Sequence, residues 1–133
     1  MVEYITGING VGKTRIMCEA CINTAAESKG NVIFIDASDK LSTRLPSNIR
    51  LINVSDFGIE GATALCGFLV GLCASDYDLT DIFFDSTIDI INNNNTNLDD
   101  FFDILTKFSD KTGVDFHFAV CDKYSLELAY QSN

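Results

Sequence analysis

The run Gly7-Ile8-Asn9-Gly10-Val11-Gly12-Lys13-Thr14 is where residue type and spacing speak most directly to chemistry. It has the pattern G-x-x-x-x-G-K-T. Its glycines let the backbone curl so that successive N–H groups, from about Asn9 to Thr14, point inward at phosphate oxygens. Lys13 is placed to reach β- and γ-phosphates and the Thr14 hydroxyl to ligate Mg²⁺. The expected phosphate contacts are Gly7, Asn9, Gly10, Val11, Gly12, Lys13, Thr14 and Arg15. A glycine-rich turn of purely structural use is the alternative. Such a site also needs an acid at the end of a neighbouring strand to hold the metal through water. Asp85, after the apolar Ile82-Phe83-Phe84, fits that role, with a helix or turn cap as its other reading. Asp81 and Asp89 flank the same segment, but neither follows an unbroken apolar run.

These residues need elements to position them. Val2 to Thr6 is a β-branched run ending at a glycine, which predicts a strand. Gly12 to Ser28 has no internal Gly or Pro, repeats Met17, Ala20, Cys21 and Thr24 on one face, and stops at Lys29-Gly30, as a helix does. Asn31 to Asp36 is a continuous apolar strand of the kind covered on both faces. One helical turn at Asp39 to Arg44 and a strand at Arg50 to Val54 are expected next. A helix over Gly58 to Ala74 and a strand over Thr80 to Asp85 follow. The asparagine-rich loop at 92–97 leads to a helix starting at Asn97. Asp99 and Asp100 lie at the positive end of that helix's dipole, and Leu98, Phe101, Leu105 and Phe108 on its buried face. Val114 to Val120 is the last strand, with a short helix expected over 124–133. Strands alternating with helices predict an α/β fold with a parallel sheet between helix layers, as one domain over residues 1–133.

Composition bounds the function. The chain has 133 residues, 47% of them apolar, with 9 basic and 19 acidic side chains and a formal charge of −10. Its three arginines, Arg15, Arg44 and Arg50, are too few for a broad phosphate-binding surface, so nucleic acid is not an expected partner. The longest nearly unbroken apolar run, Ala64 to Ala74, is too short to span a bilayer, and the first residues lack a basic-then-apolar export signal. A cytoplasmic protein is expected. Five cysteines, an odd number, suit a reducing compartment. Cys18 and Cys21 form a C-x-x-C inside a predicted helix. The ligands left to complete a zinc site are Cys66, Cys73, Cys121 and the single His117, so buried thiols are the expectation.

The Gly7–Thr14 loop, Phe34-Ile35-Asp36-Ala37, the strand at Arg50–Val54, the helix from Gly61, Phe83-Phe84-Asp85-Ser86 and the strand at Phe116–Val120 together resemble the core of the RecA-like P-loop ATPases. The resemblance spans nearly the whole chain. It implies a three-layer fold with a five-stranded parallel sheet in the order Arg50–Val54, Asn31–Asp36, Thr80–Asp85, Val114–Val120, Val2–Thr6. It also implies ATP and Mg²⁺ as ligands, Thr14 and Asp85 at the metal, and Lys13 as a catalytic charge. The glutamate that polarises the attacking water in that family would follow the second strand. Ser38 stands there, with Asp39 one residue on as the candidate replacement. Cys121 and Asp122 occupy the place of the family's γ-phosphate sensor, and Ser86 to Asn97 carries no Lys or Arg for DNA.

The chain also looks like the ParA/MinD-like group, but that group's signature lysine falls at Ile8. GTPases fit less well, since the only D-x-x-G, Asp110–Gly113, lies on the wrong side of Asp85. The leading expectation is an ATP-binding protein with slow or partner-dependent hydrolysis. The alternatives are a nucleotide-binding interaction module without turnover and an interaction protein that kept the loop but lost the ligand. The helix from Gly58 to Ala74 has an apolar face of Leu65, Phe68, Leu69, Leu72 and Cys73 and a barely polar opposite face. It is open to burial on both sides or to use as a self-association or partner surface. Arg44 or Arg50 are the candidates to serve a neighbouring subunit as an arginine finger.

Overall fold

A computed structural model describes residues 1–6, 12–36, 45–85 and 98–120. Five strands are present among them: β1 (Val2–Thr6), β2 (Asn31–Asp36), β3 (Ile49–Asn53), β4 (Leu79–Phe84) and β5 (Asp115–Val120). All pair in parallel in one sheet, ordered β1-β5-β4-β2-β3. The last strand in the sequence therefore lies between β1 and β4, as expected. Among the described residues, three α-helices accompany the sheet: α1 (Gly12–Glu27), α2 (Gly61–Ser75) and α3 (Leu98–Thr112).

Strand alternation divides the core into two layers. Val32 and Phe34 of β2, Phe83 of β4 and Ala119 of β5 pack with Met17, Cys18 and Cys21 of α1. Ile33 and Ile35 of β2, Ile82 and Phe84 of β4, and Phe116 and Phe118 of β5 face the other way, onto Leu65 and Leu69 of α2 and Phe101 and Leu105 of α3. The sheet is thus covered by α1 on one face and by α2 and α3 on the other. Such double cover is why β2 reads as an unbroken apolar run over Val32–Ile35 and β4 over Ile82–Phe84.

Local chemistry sets the element ends. Gly30 closes the turn after α1 because a Cβ there would lie 2.0 Å from the Asp78 carbonyl oxygen. The helix expected from Gly58 starts instead at Gly61. A 3₁₀ turn occupies Val54–Phe57, and Gly58, at φ 66°, ends it in the left-handed region that glycine adopts without strain. Asn53 caps this turn by accepting a hydrogen bond from the Ser55 N–H at 3.0 Å. On α2, Leu65 and Leu69 are buried and Phe68, Leu72 and Cys73 are half-buried, while Ala64, Val70 and Ala74 are exposed. The turn expected at Asp39–Arg44, the asparagine-rich loop and the helix expected over 124–133 lie outside the described residues.

Candidate functional site

In a parallel sheet with this strand order, chain connections leave β2 and β4 in opposite directions: β2 leads outward to β3, and β4 leads to β5 on its other side. Ligands of open α/β sheets lie beyond the carboxyl ends of the strands at such a switch point. Asp36 ends β2, and Asp85 immediately follows β4. The Asp85 N–H donates to the Ile35 carbonyl at 2.9 Å, which carries the β2–β4 ladder one residue past the last strand position. Phe34 and Phe83 are register partners facing α1, so alternation places Asp36 and Asp85 on that same face. Both side chains are buried.

The N-terminal turn of α1 arrives at this point. The Thr14 hydroxyl donates to Asp85 Oδ2 at 2.8 Å, across 71 residues of chain. A hydroxyl and a carboxylate are thereby brought together at the positive end of a 16-residue helix. Two hard oxygens side by side suit Mg²⁺, which takes one or two protein ligands and fills its other positions with phosphate oxygens and water. Among the described residues, no group of three or more His, Cys, Asp or Glu is arranged to hold a metal ion. Any ion here would depend on ligands beyond the protein.

Of the other residues expected at the site, Gly12 and Lys13 open α1. The Arg15 side chain runs along the helix surface, where its Nε donates to Glu19 Oε1 at 3.1 Å. Gly7, Asn9, Gly10, Val11 and Asp39 lie outside the described residues, as do Ser38, Arg44, Asp89, Cys121 and Asp122. Arg50 is exposed on β3 at the opposite end of the sheet. There it lines an open cleft of about 570 Å³ with Asn31, Asn48 and Asp76. Cys18 and Cys21 are buried in α1, and neither forms a disulfide with another described residue. The Cys21 thiol is pushed up to about 12 by burial, reinforced by Cys18 and by the Asp81 charge.

Asp36 is the acid that motif reasoning passed over. Its signal was present all the same: NVIFID and TDIFFD are both apolar runs ending on an aspartate, the same grammar on adjacent strands. Among the described residues, no helix is long and apolar enough to cross a membrane. Comparison with protein-family models, with curated proteins and with solved structures finds no match for this chain.

Proposed function

We propose that this protein binds Mg·ATP in the manner of the RecA-like P-loop ATPases, at the Gly7–Thr14 loop, and hydrolyses it slowly or only with a partner. The observation that carries the reading is the 2.8 Å hydrogen bond from Thr14 to Asp85. It joins the last residue of the G-x-x-x-x-G-K-T pattern to the one acid that the same reasoning singled out. Agreement of strand order with the RecA-like arrangement supports it independently. In this reading the loop N–H groups and Lys13 hold the phosphates, and the Thr14 hydroxyl ligates the ion. Asp85, together with the neighbouring Asp36, holds it through water. When bound, Mg²⁺ would offset charge on the β- and γ-phosphates.

Hydrolysis requires water to attack the γ-phosphorus as the bond to the β-phosphate oxygen breaks, giving ADP and inorganic phosphate. Asp39 is the residue proposed to orient that water. It is shorter than the usual glutamate and displaced by one position, and misplacement of about 1 Å can cost on the order of a hundredfold. Among the described residues, Arg15 pairs with Glu19 and Arg50 lies at the opposite end of the sheet, so neither is placed as a finger, a group worth roughly 10³ to 10⁵ in rate. Turnover by the isolated chain is therefore expected below about one per minute, rising with self-assembly or a partner. A cytoplasmic setting suits this activity.

Thermal melting with and without Mg·ATP, Mg·ADP and Mg·GTP tests the reading. Ligand at 100 times its dissociation constant adds about 2.7 kcal/mol of stability. The expected result is an upward shift that Lys13→Ala abolishes. No shift with any Mg·nucleotide at millimolar concentration refutes nucleotide binding, and a shift that survives Lys13→Ala unchanged refutes the site.

A further inference from the structure

The α1 face of the sheet holds a second polar group, away from the Thr14–Asp85 pair. His117, buried in β5, is the only histidine of the chain. Its Nε2 lies 2.8 Å from Asp81 Oδ2 on β4, and its Nδ1 lies 3.3 Å from Glu3 Oε1 on β1. The ring stacks on Phe83 with centroids 4.1 Å apart and planes 8° from parallel, which fixes its orientation toward both acids. A neutral imidazole has one N–H and one lone pair, so it can donate to only one of two carboxylates. With a carboxylate at each nitrogen, the form that satisfies both contacts is the imidazolium.

We propose that His117 is a positioning residue whose imidazolium ties β4 to β1 across β5, making the phosphate site between those strands weaken as the imidazole loses its proton. The part concerning ligand rests on the Mg·ATP reading above. The connection is topological: β1 runs into the Gly7–Thr14 loop, β4 ends at Asp85, and β5 separates the two. No other described strand touches both, and His117 is the β5 side chain that bonds to each neighbour.

The surrounding charges act in the same direction. Burial works against a charged ring, but the hydrogen bonds to Asp81 and Glu3 and the charges of both acids outweigh it, holding His117 above the usual histidine value. Burial also pushes the Asp81 carboxyl up. The hydrogen bonds from His117 and Thr80, with the charges of His117 and the terminal ammonium, more than offset this and leave Asp81 below its ordinary value. Asp115, on the same face, is occupied by the Met1 ammonium at 2.8 Å. From α1, Cys18 and Cys21 share an apolar cluster with Phe83, on which the ring stacks; burial, Cys18 and the Asp81 charge push the Cys21 thiol up to about 12.

The stabilisation from His117 is thus fully present below its unfolded value of 6.5 and is lost as pH rises through the raised folded value. That from Asp81 is present above 3.8 and is lost as pH falls through its lowered folded value. Between these limits the tie is intact.

Nitrogen-15 NMR of the imidazole, which needs no assignment because the chain has one histidine, tests the protonation directly. Both ring nitrogens should carry protons on the acid side of a titration whose midpoint lies above 6.5. A midpoint at or below 6.5 overturns the proposal. Mg·ATP affinity is then measured from pH 6.5 to 9 for the wild type and His117→Gln. Wild-type affinity should fall severalfold with the midpoint of the imidazole titration, while the variant shows no transition there. Wild-type affinity that stays level through that midpoint overturns the proposal. If no nucleotide binds at any pH, the Mg·ATP reading fails and nucleotide-free melting decides the tie alone. A melting temperature that drops through the imidazole midpoint upholds it, and one that ignores the midpoint overturns it. Should His117→Gln not fold, Glu3→Gln, altered at a half-exposed carboxylate, should lower the imidazole midpoint; an unchanged midpoint overturns the tie.

Discussion

Strand β5 presents Phe116 and Phe118 to one face of the sheet and His117 and Ala119 to the other, and the layers built on those faces differ in kind. Toward α2 and α3 the packing is aromatic. Phe118 stacks on Phe84 at 4.3 Å and meets Tyr4, Phe101 and Phe102 within 6.4 Å. Toward α1 the apolar residues are interrupted by Asp36, Asp81, Asp85 and His117, all buried. Burying polar groups is costly unless they are bonded; among the described residues the aromatic layer buries only Ser109, whose hydroxyl donates to the Val114 carbonyl at 2.6 Å. One face is built to hold the sheet together. The other gives up some of that stabilisation to keep Asp36 and Asp85 at the ends of β2 and β4 and the Asp81–His117 pair within the sheet.

The largest effect expected from this contrast is on stability, on the aromatic side. Phe118→Ala should cost about 3–5 kcal/mol, because it removes a fully buried ring whose neighbours are themselves rings. Urea unfolding measures the loss, and Mg·ATP affinity of the folded fraction should stay near the wild-type value. A cost below about 1 kcal/mol would mean the aromatic layer is not the main cohesive one.

A smaller stability change with a larger functional one is expected across the sheet. Thr14→Val keeps the shape but leaves the buried Asp85 carboxylate without its hydroxyl partner, at a cost of roughly 1–3 kcal/mol. Nucleotide-induced stabilisation should lose its dependence on Mg²⁺, read by melting with Mg²⁺ or with a chelator. If Thr14→Val binds Mg·ATP as the wild type does, the α1 face has no privileged role at that position.

The mildest probe compares thiols and changes no residue. Cys18 and Cys21 lie buried under α1, whereas Cys66 and Cys73 on α2 are half-buried, with thiols raised by burial. At pH 8 in the native protein, alkylation should mark Cys66 and Cys73 well before Cys18 and Cys21, because only the thiolate reacts and Cys21 stays protonated to about 12. Peptide mass mapping reads the order. Early labelling of Cys21 would show that α1 opens more readily than its burial implies.

Much of the scaffold was legible from local pattern. Five apolar strand runs, the Gly-free stretch of α1 and the acidic first turn of α3 each carry their own signal within a window of a few residues. The shift of the α2 start from Gly58 to Gly61 was not legible, because Gly58 serves equally as a helix entry or as the left-handed end of a 3₁₀ turn. Only the Asn53 cap and the bonds from the Gly58 N–H to Ser55 and Val54 decide between them. Strand order came from family resemblance, since periodicity specifies which faces are apolar and says nothing of which strand lies beside which. In the site, Thr14 and Asp85 were each legible as motif residues, but their contact spans 71 residues of chain and depends on the fold.

By itself, then, the sequence determined the types of the main elements, the double cover of β2, and the choice of Thr14 and Asp85 as candidate site residues, because each is encoded in short-range spacing. Tertiary structure alone decided that Asp36 stands beside Asp85. It alone decided that His117, a polar residue between the phenylalanines of β5, meets Asp81 at a separation of 36 residues and Glu3 at 114. Those neighbours are set by strand register, and register is the joint outcome of every layer packed on the sheet rather than a property of any one segment.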